Sequence, residues 1–178
     1  MKKKVTQEET QTQVQIPPIE LKQARITLEG VTPLLVNRFA EKSKTEMLEK
    51  QMKTAKRAKE ARDPEKEFQA SLYRMAGSKN KFGMPTSGIK NAAISACRFV
   101  DGIPMTKATG AFHVLDDGSG LTLIEGSDPV MDERICRIGP FGKKTAITRF
   151  RGRFDKWKVT FIVQYNSRVI SGSQLLNL

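Results

Sequence analysis

The stretch Phe82-Gly83-Met84-Pro85-Thr86-Ser87-Gly88-Ile89-Lys90-Asn91-Ala92-Ala93-Ile94-Ser95-Ala96-Cys97-Arg98-Phe99 decides the fold. It reads as a short strand end, a Pro/Gly turn and then a helix over residues 88–100. The buried side of that helix is expected to use Ile89, Ala92, Ala93, Ala96, Phe99 and Val100. Three alanines make it thin enough to pack closely on a sheet. Asn91, Ser95 and Arg98 are four and three residues apart and share one polar face. Thr86 or Ser87 is the expected N-cap. Two readings of Lys90 stand side by side: a solvated lysine behind a plain cap, or a basic group beside an anion held by the turn and the N-terminal amides.

Upstream, residues 1–18 are polar, rich in Gln and Thr, and end in Pro17-Pro18, which reads as a mobile arm. Ile19, Leu21, Ala24, Ile26 and Leu28 alternate well enough for a strand over 19–30, closed by Gly30. Val31 to Val36 is a second apolar run, in which Pro33 marks an edge, a bulge or a break within one long strand. Residues 41–76 read as a helical insertion. Its first helix, opened by Ser43 or Glu41, runs from Lys44 to Ala61 and has a thin apolar stripe. Asp63 caps a second helix with Pro64 at its first position, and Phe68, Leu72 and Met75 share a face of it through Met75. Segment 38–74 holds eleven basic and seven acidic residues, the mixture of an ordinary solvated helical surface.

Downstream, residues 101–130 read as loop-rich. Phe112 to Leu115 and Leu121 to Ile124 are short strands around Asp116-Asp117-Gly118-Ser119-Gly120, expected to form a hairpin. Strands follow at 134–138, 145–151 and 156–165, with a turn or bulge at Phe154 to Trp157. In the last strand Val159, Phe161, Val163 and Tyr165 face opposite to Thr160, Ile162 and Gln164. Ser171 caps a final helix start.

The formal net charge of +12 over 178 residues is the strongest bulk signal and favours polyanionic partners, nucleic acid before membrane. Between Arg134 and Lys158 nine basic residues face one acid, Asp155. Arg149, Arg151 and Arg153 alternate with Phe150, Gly152 and Phe154, so a strand would put the three arginines on one face. Such a row suits a phosphate track. Arg137, Lys143 and Lys144 flank it, and Phe141 in its Gly/Pro turn is the stacking candidate. Phe150 and Phe154, opposite the arginines, read as core. Lys90 and Arg98 are placed as the other wall of a groove.

Catalysis finds little support. His113 sits in an apolar strand pattern and reads as a core or rim histidine. Asp116 and Asp117 are explained by a turn. Asp128, Asp132 and Glu133 read as acids scattered in loops. Cys97 and Cys136 are too far apart for a zinc pair and read as buried free thiols. No nucleotide-binding or nucleophile motif is present. No metal and no cofactor are expected, and the chain is read as a non-enzyme. No run reaches transmembrane length and no apolar signal region follows the basic start, so no membrane partner is expected and a cytoplasmic location is.

Pro85, Ser87, Lys90, Ala92, Ala93, Ala96 and Arg98 resemble the signature of the repeat-associated superfamily (RAMP) that builds CRISPR effector backbones. Val31-Thr32-Pro33-Leu34-Leu35 resembles the run found at that family's first core strand. The resemblance implies an α+β fold: a ferredoxin-like, modified RNA-recognition core over 19–178, with a helical insertion near 41–76 and a loop or β-hairpin protrusion near 101–133. It implies Lys90, Asn91 and Arg98 on a helix that contacts a nucleic-acid backbone. The family's last core strand has no counterpart, so a chain shortened at Leu178 is expected. Over residues 17–178, Pro33 to Phe39, Ala96 to Gly102 and Tyr165 to Ser171 also resemble an uncharacterised family of tailed-phage and prophage proteins. Together these imply binding of single-stranded RNA or DNA by a side-by-side homo-oligomer in the host cytoplasm. The alternatives are a phage protein that engages or mimics a host CRISPR complex subunit, and a virion assembly component.

Overall fold

The computed structural model describes residues 18–53, 61–140 and 143–178. The arm expected at residues 1–18 falls outside them, apart from Pro18. The described residues form a mixed α+β fold with two sheets. In chain order the strands are β1 (Leu21–Glu29), β2 (Leu34–Val36), β3 (Phe82–Pro85), β4 (Phe112–Leu115), β5 (Leu121–Gly126), β6 (Val130–Ile138), β7 (Thr145–Phe154) and β8 (Trp157–Asn166). The helices are α1 (Glu41–Gln51), α2 (Pro64–Ser71), α3 (Thr86–Ala96), α4 (Met105–Ala111) and α5 (Gly172–Leu176).

One sheet runs β1-β8-β5-β3, with β4 also on β8; the other runs β2-β7-β6. The register relates the two. Glu29 lies opposite Lys158 at the end of β1, and Leu34 opposite Phe154 at the start of β2. Gly126 lies opposite Trp157 at the end of β5, and Val130 opposite Arg153 at the start of β6. Three lines of chain, β1 into β2, β7 into β8 and β5 into β6, therefore pass from one sheet to the other at the same level. The sheets are two halves of one antiparallel ribbon, broken along a common line.

Local chemistry explains the break. Pro33 has no N–H for a ladder. Trp157 accepts at its carbonyl from the Gly30 N–H (2.9 Å) and donates its indole N–H to the Thr32 carbonyl (2.8 Å). The indole lies so close to Gly30 that a Cβ there would overlap it. Gly126 has φ +138° and a Cβ on it would meet the Lys156 carbonyl, a position only glycine fills easily. The break anticipated at Pro33 is present. Phe154 to Trp157, read as a turn or bulge, holds a bend at Asp155-Lys156 where the chain crosses from one sheet to the other.

The core sits on one face of β8. Val159, Phe161, Val163 and Tyr165 are buried and the alternate residues are not, as the alternation requires. Phe112 and Val114 of β4, Ile124 of β5, Ile89 of α3 and Leu175 of α5 join the same hydrophobic cluster. Full burial of each such side chain stabilises by about 1.5–3 kcal/mol.

The caps separate success from failure. The Asp63 carboxylate accepts from the Glu65 and Lys66 N–H groups, and Pro64 starts α2. Ser171 and Gln174 form a reciprocal capping box on α5. At α3 neither Thr86 nor Ser87 caps: Pro85 holds the cap position and Thr86 is already helical. The Thr86 hydroxyl instead donates to Asp116 (2.9 Å) and sits 3.1 Å from the Gly120 carbonyl, fastening the helix start to the 116–120 loop. The helix ends at Ala96, so the 3.6-residue period stops short of Phe99, which is 90% exposed rather than buried. Ala92 is exposed as well.

Three further corrections concern pairing and extent. β4 and β5 do not form a hairpin. Both run antiparallel to β8, Phe112 opposite Tyr165 and Ile124 opposite Val159, so they follow one edge in the same direction. The DDGSG turn loops out between them while β5 also pairs with β3. Alternation and turn residues are the same for both arrangements and do not choose the partner. The long hairpin spans 130–154 and so overlaps only the end of the 101–133 region where a protrusion is expected. Finally α4, with Ala108 and Ala111 buried, occupies ground that reads as loop, because Thr, Gly and a flanking Pro weaken its local signal. In the helical insertion, α1 buries no residue, in keeping with its thin stripe. It stops at Gln51, short of the expected end at Ala61, because Met52 and Lys53 turn the chain, Lys53 with φ +56°; residues 54–60 lie outside the described residues. α2 stops at Ser71, and Leu72, 2% exposed, enters the core in extended conformation.

Candidate nucleic-acid interface

The β6–β7 ribbon carries the basic region. Its register places Arg134 opposite Arg149, Asp132 opposite Arg151 and Val130 opposite Arg153. Residues directly opposite share a face, so Arg134, Arg149, Arg151 and Arg153 lie on one side together with Asp132. The other side of β7 presents Phe150, Gly152 and Phe154 to α2. Phe154 is 1% exposed, and Phe150 packs under the Arg62 guanidinium at 5.7 Å. A Cβ on Gly152 would press into Leu72 and Val36, so glycine lets α2 sit close. The arginine–phenylalanine alternation read from the sequence is present in this strand.

Like charges directly opposite on a ladder repel. Asp132, 5% exposed, is placed to offset them. Its carboxylate is 3.0 Å from Arg134 Nε, 3.1 Å from Arg151 Nη2 and 4.0 Å from Arg153 Nη1. Arg153 also pairs with Asp155 at 2.9 Å. Asp132 is thus no scattered loop acid but part of strand β6. The sequence does carry a signal for it: Asp132 precedes Arg134 by two, the spacing that shares a strand face.

The other basic and polar candidates divide. Arg137 lies opposite Ala146, on the ribbon face away from the four arginines. Lys143 and Lys144 are exposed at the ribbon's end, where the Lys143 N–H donates to the Pro140 carbonyl (3.0 Å). Phe141 lies outside the described residues. Lys90 is half-buried and Asn91 exposed on α3, while Arg98 lies beyond its end with Nε 3.4 Å from Met105 Sδ. Among the described residues no hydrogen bond or ion pair joins these three to the ribbon.

The acidic loop has its own explanation. Asp116 accepts from the Gly118 N–H (2.7 Å) and Asp117 from the Ser119 N–H (3.0 Å). The Gly118 amide, then the Thr86 hydroxyl, hold the Asp116 carboxyl below its ordinary value; Ser119 does the same for Asp117 through its side chain, then its backbone. His113 is exposed on β4, between buried Phe112 and Val114. Cys97 is buried, whereas Cys136 is half-buried on the ribbon, because the ribbon has no core behind it there. Among the described residues no helix is long and apolar enough to cross a membrane. No protein-family model, curated protein or solved structure matches this chain.

Proposed function

We propose that this chain binds single-stranded nucleic acid without catalysis, through the basic face of the β6–β7 ribbon. The observation that carries the reading is the co-facial set Arg134, Arg149, Arg151 and Arg153, of which Asp132 bridges Arg134 and Arg151 and lies 4.0 Å from Arg153. Guanidinium groups held on neighbouring strands meet successive phosphates with less side-chain entropy left to lose. Lys143 and Lys144 extend the track to the ribbon's end, and Phe141, which precedes them in the sequence, is the stacking candidate. Lys90, Asn91 and Arg98 are a second contact on the core block, reached by a strand that runs past the ribbon.

The core order supports a ferredoxin-like reading for this block. β8 lies between β1 and the β4/β5 edge, and the path from β1 to β4 includes α3, after β2, α1, α2 and β3 and before α4. That order, with the residues of 82–99, is what favours kinship with the repeat-associated superfamily.

The test is a fluorescence titration with labelled single strands at two salt concentrations. Affinity should fall with salt by about 0.7 logarithmic units per phosphate neutralised, per tenfold salt. Arg149→Ala should lower that slope by about one contact's share and weaken binding alike for all sequences. Affinity for single strands no better than for a neutral polymer would end the proposal.

A further inference from the structure

β1 is an edge strand. Its nine residues pair with β8 on one side, and among the described residues no strand lies on the other. The phase of its hydrogen bonds is set at both ends. Gly30 donates to the Trp157 carbonyl and Glu20 accepts from the Ser167 N–H, each at 2.9 Å. Even-numbered residues of β1 therefore point their N–H and C=O groups at β8. Those of Leu21, Gln23, Arg25, Thr27 and Glu29 point outward, because these directions alternate along an antiparallel strand.

Such an edge is ordinarily blunted by a proline, a bulge, brevity or charged side chains. β1 has no proline and no bulge over its nine residues, and its charges, Lys22, Arg25 and Glu29, are of both signs, so they can pair across an edge as well as guard it. It is also apolar at its margin: Leu21 is 58% exposed and Leu28 42%. Ile26 and Leu28 line a hollow of about 280 Å³ beneath α3 and α5, closed on its other sides by apolar side chains that include Trp157, Phe161 and Leu178. At its rim Leu176 is 70% exposed. An open hydrogen-bonding edge and an open apolar hollow thus adjoin at one strand.

We propose that this edge pairs with the β1 edge of a second copy of the chain. A twofold axis perpendicular to the sheet keeps each residue on its own face, so only registers that oppose residues of equal parity are allowed. Centred on Arg25, the pairing sets arginine against arginine. Centred on Ala24 or Ile26, it opposes no unlike charges within β1. Centred on Thr27, it sets Arg25 opposite the second copy's Glu29, twice by symmetry, and Ile26 opposite Leu28 on the hollow's face, also twice. Thr27 then forms the central hydrogen-bonded pair, in the phase the outward groups require. Among the described residues of the single chain, neither Arg25 nor Glu29 makes an ion pair, so both are available to the partner. The edges would join the two β1-β8-β5-β3 sheets into one.

Sedimentation velocity and oxidative cross-linking on the whole chain test this independently of nucleic-acid binding. The wild type should sediment as a dimer. Arg25→Glu and Glu29→Arg should each shift it toward monomer, and the double exchange R25E/E29R should restore the dimer. Residues four apart on one strand are about 13 Å from each other, so the rescue cannot arise within one copy. Thr27→Cys should cross-link to a covalent dimer on mild oxidation, while Gln23→Cys should not. A monomer at the highest soluble concentration overturns the proposal. So does a dimer indifferent to both charge reversals and to Thr27→Cys, which would place its interface elsewhere.

Discussion

The core block around β8 and the β6–β7 ribbon are both antiparallel and joined through the same lines of chain, yet their side chains meet different things. On β8, one face is buried from Val159 to Tyr165, and helices cover it. On the ribbon, burial reaches from Phe154 only as far as α2 does. Beyond that point Ile135 is 77% exposed and Ile138 46%, with basic side chains around them. Pairing alone does not make a core. A ribbon without a helix behind it keeps its hydrogen bonds and leaves its side chains to solvent and to whatever binds there.

The sharpest way to separate the two regions is at their junction. Phe154→Ala should lower stability by about 3–5 kcal/mol, because the 1%-exposed ring contacts both halves, including Phe82 at 5.9 Å. Urea unfolding measures it; a loss as small as that of an exposed ribbon residue would place the junction outside the core. Asp132→Asn comes next, at about 1–3 kcal/mol, since half-buried Arg151 would lose its carboxylate. If the ribbon is insensitive to Asp132, unfolding curves of the two proteins will superimpose.

A smaller effect is expected in acid. The Asp116 carboxyl sits below its ordinary value of 3.8, chiefly through the Gly118 amide and then the Thr86 hydroxyl. The folded state thus holds this proton more weakly than the unfolded chain. Its stabilising contribution is complete above the ordinary value and is lost as pH falls through the lowered one. Thr86→Val should therefore flatten the acid side of the stability–pH curve while the neutral difference persists. Urea midpoints across that range would show an unchanged acid limb if the contact is idle. The smallest effect belongs to the ribbon: Ile135→Ser should change stability by no more than about 0.5 kcal/mol. A loss several times larger would mean that this face is packed in solution.

Much of the local structure is legible in the residues. Asp63-Pro64 and Ser171 mark helix starts through their own side chains, and the alternation of β8 and of Arg149 to Phe154 shows which residues share a face. The break at Pro33 follows from a missing N–H. What local patterns miss is non-local. Thr86 resembles a cap because its hydroxyl is a good acceptor, but Asp116, thirty residues away, takes that hydroxyl as a donor. Phe99 keeps its apolar period past the point where α3 ends. The hairpin expected around 116–120 does not form because the same turn residues can reverse a chain or loop it out.

The candidate interface divides along the same line. That Arg149, Arg151 and Arg153 share a face is a property of one strand and needs only the twofold period of an extended chain. That Arg134 joins them, that Arg137 does not, and that a buried Asp132 bridges Arg134 and Arg151 depends on the register between β6 and β7. The mixture of helices and strands, the apolar face of the central strand and the basic region near the C-terminal third are legible residue by residue, since these rest on local periodicity and charge. Which strands pair, the break of three lines of chain at Trp157, and the position of β1 at an edge among the described residues are set in the tertiary structure alone. Those depend on contacts between residues far apart in sequence, which no local pattern encodes.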